Sequence, residues 1–248
     1  MPLRIGFDLD GVLADMDSAL LREAAVVFGE ATARQMQERP ESSPPGASAV
    51  APSDEAADVA DDTAPPLIKL SMTPRQQRRL WHHVSGVEDF WQSLNEIESG
   101  SIARLAQLAH ERRWEIIFLT KRPQTAGATA QVQSQRWLES KGFSLPSLFV
   151  VQGSRGRIAS ALSLDVVVDD RPENCFDVVA DSSAKPILVW RDSPKALPTA
   201  AQRLGIGVVA SVEECLNLLA AADAPASDDA SIFTRLKRLF GAKERADG

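Results

Sequence analysis

Two pairs of aspartates stand where apolar runs end. In FDLDGVLAD, Phe7 leads into Asp8, Leu9 and Asp10, and Gly11 follows at once. In LDVVVDD, three valines lead into Asp169 and Asp170. An acid at the end of a buried strand loses hydration, which is costly unless a cation pairs with it. If the two runs are neighbouring strands of a parallel sheet, their carboxyl ends share one edge and three or four carboxylates converge. A hard cation relieves that repulsion, and an oxygen-only ligand set with no His or Cys nearby in sequence favours Mg²⁺ over zinc or copper. Mg²⁺ keeps several waters and takes phosphate oxygens from its substrates, so the expected cofactor and a phosphorylated substrate support each other.

A third apolar run, IIFLTKRP, ends on Thr120, Lys121 and Arg122. A hydroxyl and cations at the same edge suit an anion such as a phosphoryl group. A further cationic element, GSRGR with Arg155 and Arg157, opens the helix before DVVVDD, and helix N-termini attract anions too. The competing reading is structural: an Asp at a strand end caps the next helix, and Gly11 permits a tight turn. Two acidic pairs together with the Thr-Lys-Arg strand end weigh against it.

These residues need a scaffold that puts strand ends side by side. From residue 101 onward, helical patterns such as IARLAQLAHERR alternate with continuous apolar runs: WEIIFLT, SLFVVQ, DVVVDD, KPILVW and GVVAS. Such alternation predicts a doubly wound α/β fold, a parallel sheet covered on both faces. A core of residues 1–15 and 101–222 is expected, with residues 16–100 a helical cap inserted after the first strand. Within the cap, residues 16–39 read as one helix, MTPRQQRRLWHHV as another with Thr73 as N-cap and Pro74 in its first turn, and GVEDFWQSLNEIE as a short third. Residues 40–66 are rich in Pro, Ala, Ser and Asp and are expected to be disordered. An insertion there overlies the carboxyl end of the sheet, as a lid would.

The net charge of −7 argues against a nucleic acid polymer as partner. The two cysteines, Cys175 and Cys215, have no metal-ligand spacing and are expected to be reduced core thiols. With no signal-peptide pattern and no long apolar run, a cytoplasmic protein is expected. At residues 223–248 an acidic linker leads to SIFTRLKRLFGAKER. This basic amphipathic segment, residues 231–245, either packs on its own domain or docks on a protein or membrane surface.

DLDGVLAD, FLTKRP and VVVDDRPEN, in that order and each at a strand end, resemble the haloacid-dehalogenase (HAD) phosphohydrolase superfamily. The resemblance covers residues 3–15 and about 100–212. It implies that Asp8 is a nucleophile forming an aspartyl-phosphate and that Asp10 is the general acid and base. It also implies that Mg²⁺ is held by Asp8, the Asp10 carbonyl and an acid of the second pair, Asp170 or Asp169. Thr120 then holds the transferring phosphoryl group, with Lys121, Arg122 and Gly11 beside the substrate. A family lysine or arginine that neutralises nucleophile and phosphate has three candidates here: Arg155, Arg157 and Lys121. GFDLDGVLAD, FWQSL, and FLTKRP ahead of RWLESKGF are similar to the 5′(3′)-deoxyribonucleotidase-like branch, which implies a nucleoside monophosphate as substrate.

Several residues keep two readings. Asp15 and Asp17 start the cap helix or touch substrate. His82 and His83, adjacent on a helix and so about 100° apart, are surface residues or metal ligands. Trp81, Phe90 and Trp91 form the cap's small core or a base-stacking platform. The rival to an enzyme is a non-catalytic binding protein on the same core, recruiting a partner or membrane through its C-terminal segment.

Overall fold

The computed structural model describes residues 2–37, 70–223, 234–236, 238 and 240. Six strands form one all-parallel sheet: β1 (Arg4–Asp8), β2 (Glu115–Thr120), β3 (Ser147–Val150), β4 (Val166–Asp169), β5 (Lys185–Val189) and β6 (Gly207–Val209). Their order is β3-β2-β1-β4-β5-β6. The winding reverses between β1 and β4, and open α/β sheets bind ligands outside the strand ends at such a reversal. In register, Asp8 lies opposite Leu119 of β2, and Phe7 lies opposite Val168 of β4. Asp8 and Asp169 are therefore next to each other.

Continuous apolar strands follow from coverage on both faces. On β2, Ile116 and Phe118 join one apolar cluster with Ile5, Phe7, Val166 and Val168. Ile117 and Leu119 join another with Val167, Ala159 and Val178. The covering helices are α4 (Ser101–Arg112), α5 (Ala130–Ser140), α6 (Arg155–Ala161), α7 (Pro172–Asp181), α8 (Thr199–Arg203) and α9 (Val212–Ala222), counted after the three described next. The fold is the expected doubly wound α/β sheet.

After β1 come α1 (Met16–Phe28), α2 (Glu30–Gln37) and α3 (Pro74–Ser85). The single helix expected over 16–39 is broken at Gly29, whose φ of 85° ends α1 with its N–H on the Ala25 carbonyl. Thr73 caps α3 in a capping box with Gln76, and Pro74 occupies its first turn. The helix expected in GVEDFWQSLNEIE is reduced to one 3₁₀ turn, Phe90–Gln92. There the Trp91 N–H donates to Gln133 Oε1 at 3.0 Å instead of to a helix carbonyl. Both rings of Phe90 and Trp91 are buried.

Leu20, Ala24, Leu80, Val84, Phe90 and Trp91 share the apolar cluster that holds Ile5 and Phe7. The two segments that lead into and out of the insertion are stitched together. Asp15 donates its N–H to Asn95 O and Ile97 to Leu13 O, both at 2.9 Å. The stretch 40–66 lies outside the described residues. So does most of the C-terminal segment, but Leu236 is 3% exposed within the main core and Phe240 packs against the same core. Phe240 crowds Gly207 closely enough to leave no room for a side chain there. Both cysteines are buried free thiols. No helix among the described residues is long and apolar enough to cross a membrane.

Candidate active site

The strand ends bring the acids together. Asp8 and Asp169 are both buried at the carboxyl edge. Ser154 caps α6, and the first residue of that helix, Arg155, turns inward. Its Nη2 donates to Asp8 Oδ1, and its Nε lies 3.4 Å from Asp169 Oδ2. Arg157 is 84% exposed and lies 3.8 Å from Asp181. Two residues on a helix are about 200° apart, so Arg155 and Arg157 cannot serve one site. Asn174 reaches back from α7 to both oxygens of Asp169, at 3.0 and 2.9 Å, and the Arg171 N–H donates to Oδ1 at 2.9 Å.

Burial sets the electrostatics of this pair. Loss of hydration pushes the Asp8 carboxyl well above the ordinary aspartate range; Arg155 opposes the shift, while Asp169, Asp10 and Asp170 add to it. Asp169 is pushed up to about 6 by the same desolvation and by Asp170, against Arg155, the Arg171 N–H and Asn174. Burial alone would lower Arg155, but Asp8 and Asp169 raise it, so it stays a guanidinium.

Asp10 is held from the other side. Thr120 Oγ1 donates to its Oδ2 at 2.9 Å. Arg122 donates from Nε to both oxygens, at 3.1 and 3.0 Å, and from Nη2 to Oδ1 at 2.7 Å. The Arg122 side chain is buried, and its Nη1 donates to Ser134 Oγ at 2.8 Å. Its guanidinium carbon stands 4.8 Å from the Trp91 ring centre and 5.7 Å from that of Trp137. Thr120 is expected at the phosphoryl group and Arg122 at the substrate; in the structure both donate to Asp10 instead. Lys121, between the two, is half-exposed.

Gly11 closes the remaining gap. At its φ of 84°, a Cβ would stand 2.5 Å from Asp170 Cγ and 2.9 Å from Oδ1, and closer still to Oδ2. The Asp170 carboxylate thus lies against the backbone of the loop after β1. That loop is gripped from below by Arg191, which donates to the carbonyls of Gly11 at 2.6 Å and Val12 at 3.2 Å. Arg191 also pairs with Glu98 at 2.6 Å. Burial would raise Glu98, but hydrogen bonds from Arg191 and from the N–H groups of Val212 and Glu213 hold its carboxyl below the ordinary range.

Asn174, Ser134, Trp137, Arg191 and Glu98 were not anticipated. Asn174 stood in plain view within VVVDDRPEN, five residues after Asp169, one helical turn past the strand end. Arg191 carried no signal beyond following the run KPILVW. Asp15 is the α1 N-cap, accepting from the Ser18 N–H at 3.0 Å. His83 pairs with Glu23 at 2.8 Å on the insertion. Phe90 and Trp91 meet edge to face at 4.9 Å as core residues.

The edge offers oxygen donors alone for a cation: the carboxylates of Asp8, Asp169 and Asp170 and the carbonyl of Asp10. Among the described residues, no three His, Cys, Asp or Glu side chains form a ready cage. A small hard cation that keeps its waters and takes one or two carboxylates plus phosphate oxygens needs none. With the Asp10 side chain counted, four carboxylates at this edge outnumber the two buried guanidiniums, Arg122 and Arg155. The donor set therefore fits such an ion.

No protein-family model and no curated protein sequence matches the chain. Solved structures do. A HAD family hydrolase from Deinococcus radiodurans R1, with bound phosphate and sodium, superposes with a TM-score of 0.50 at 17% identity, over 91% of this chain and 99% of that one. A haloacid dehalogenase-like family hydrolase from Xanthomonas campestris does so with a TM-score of 0.47 at 14% identity, over 97% and 98%. At such identities the likeness is one of fold: the chain shares its α/β architecture with the Deinococcus hydrolase.

Proposed function

We propose that this chain is a Mg²⁺-dependent phosphomonoester hydrolase of the HAD superfamily. The observation that carries the reading is the buried Asp8 carboxylate at the sheet reversal, faced by Arg155 and flanked by Asp169, with a second acid, Asp10, two residues on. In this reading Asp8 attacks phosphorus, an Asp8 O–P bond forms and the ester P–O bond breaks. Asp10 gives its proton to the departing oxygen. Asp10 then takes a proton from water, whose oxygen bonds to phosphorus as the Asp8 O–P bond breaks. Lys121 and Arg155 hold the phosphoryl oxygens, Thr120 and Arg122 hold Asp10, and Gly11 lets the loop approach Asp170.

Asp8, the Asp10 carbonyl, Asp170 and Asp169 are the groups that would hold Mg²⁺. When bound, the ion stabilises charge on the phosphoryl group and favours ionised Asp8. The Deinococcus neighbour carries bound phosphate, in keeping with a small phosphorylated substrate here. A small phosphorylated metabolite is the substrate class, and nucleoside monophosphates head the panel to test. Residues 16–100 would serve as the cap that excludes water and reads the leaving group. The packing of Leu236 and Phe240 on the core favours this reading over a scaffold that docks through its tail.

The test is phosphate release from nucleoside and sugar monophosphates, each run with Mg²⁺, with EDTA and with Asp8→Asn. Turnover should need the metal and fall by on the order of 10⁴-fold or more in the variant. Activity that survives Asp8→Asn would overturn the assignment.

A further inference from the structure

We infer that Arg122 is a positioning residue for Asp10, fixing the plane in which that carboxyl addresses the leaving oxygen. The inference rests on the phosphohydrolase reading above and deepens it. Arg122 is 1% exposed, and Nε, Nη1 and Nη2 each donate to a protein group, so it does not serve as an open anion site. Two of those nitrogens form a fork on Asp10, which sets the distance and plane of the carboxyl at once, as a lysine's point charge does not.

The fork itself has no freedom. It stands over the indoles of Trp91 and Trp137, and Nη1 is tied to Ser134 on α5. Those indoles are anchored in turn, Trp91 Nε1 to Pro123 O at 2.9 Å and Trp137 Nε1 to Leu94 O at 2.7 Å. Trp91 belongs to the segment inserted after β1, so that segment helps aim the acid as well as cover it. Thr120 completes the grip by donating to Asp10 Oδ2.

A residue that aims a general acid matters most where the leaving group needs the proton. Phenyl phosphate releases a phenol with a pKa of about 10, like that of tyrosine. p-Nitrophenyl phosphate releases an anion that needs no proton at neutral pH. The readout is the ratio of kcat/KM for the two esters in one preparation, because the fraction of folded enzyme cancels. Arg122→Ala should lower kcat/KM for phenyl phosphate about 100-fold more than for the nitrophenyl ester, the scale on which misplacing a catalytic group acts.

Arg122→Lys keeps the charge without the fork and should move the ratio about tenfold, as partial loss of the same effect. Ser134→Ala, which only loosens the fork, should shift it a few-fold in the same direction. Millimolar guanidinium, taking the place of the lost group beside the indoles, should restore the ratio in Arg122→Ala. If Asp8-dependent turnover is present and all three variants slow both esters equally, Arg122 is a structural pillar and the inference falls alone. If no ester shows Asp8-dependent turnover, the phosphohydrolase reading falls and takes this inference with it. Should Arg122→Ala fail to fold, the Lys and Ser134 variants decide the matter.

Discussion

The closeness of Gly11 to Asp170 can be tested against a matched control. Gly11 has a φ of 84° and Gly100 a φ of 81°, so an alanine at either position carries a left-handed backbone. That alone costs about 1 kcal/mol, or roughly 2–4 °C in Tm for a chain of this size. At Gly100 a Cβ meets nothing within 4 Å, so Gly100→Ala should show that cost and unchanged turnover. At Gly11 the Cβ would stand 2.5 Å from Asp170 Cγ, where ordinary contact begins near 3.4 Å, so the carboxylate must retreat by about 1 Å. Overpacking of this kind adds about 1–3 kcal/mol. A displacement of that size at a reacting centre lowers the rate about 10²-fold. Thermal melts and phosphate release with increasing Mg²⁺ measure both, and the lost rate should be partly regained at high Mg²⁺ if Asp170 is a ligand. Equal Tm values for the two variants, with Gly11→Ala as active as Gly100→Ala, would refute the reasoning.

Glu98 supplies a pH test. Its folded carboxyl is held below the ordinary glutamate range, so its stabilisation is present above a pH of about 4.3 and is lost as pH falls through the lower folded value. Melts between pH 5 and 3 should therefore fall more steeply for wild type than for Glu98→Gln, which cannot titrate. The C-terminal segment supplies another. Leu236→Ala should cost about 2–3 kcal/mol by denaturant melt and leave kcat/KM unchanged, because Leu236 is an apolar core residue with no polar group to offer the acids. A variant of full stability would return the segment to the docking role.

The sheet was legible because parallel strands buried on both faces are written as unbroken apolar runs, and every such run became a strand. The insertion was less legible because its local patterns compete with tertiary contacts. GVEDFWQSLNEIE has helical spacing, yet Phe90 and Trp91 gain more by entering the common core than a short helix would give them. Gly29 interrupts a pattern that reads through it, since a glycine within a helical run costs only about 1 kcal/mol and does not announce a break. Leu20, Leu80 and Trp91 join the core of the sheet for a reason the sequence hides: an apolar stripe says that a face is covered, never by what.

The acids were legible for a stronger reason, and the cations were not. A carboxylate at the end of an apolar strand has one place to be, whereas a long guanidinium has several. Periodicity narrows the choice. On an extended chain, side chains two apart share a side, so Thr120 and Arg122 reach Asp10 together while Lys121 points elsewhere. By the same rule Asp169 and Asp170 diverge, one to Asn174 and Arg155, the other to the Gly11 loop. On a helix, residues two apart diverge as well, which separates Arg155 from Arg157. Period two therefore splits the Thr-Lys-Arg strand end into a pair that holds Asp10 and a lysine that does not join it. What no period reveals is that indoles from the insertion and α5 would close over Arg122 and take it out of solvent. That closure needs the whole fold, and it turns an arginine that reads as a substrate ligand into one that grips Asp10.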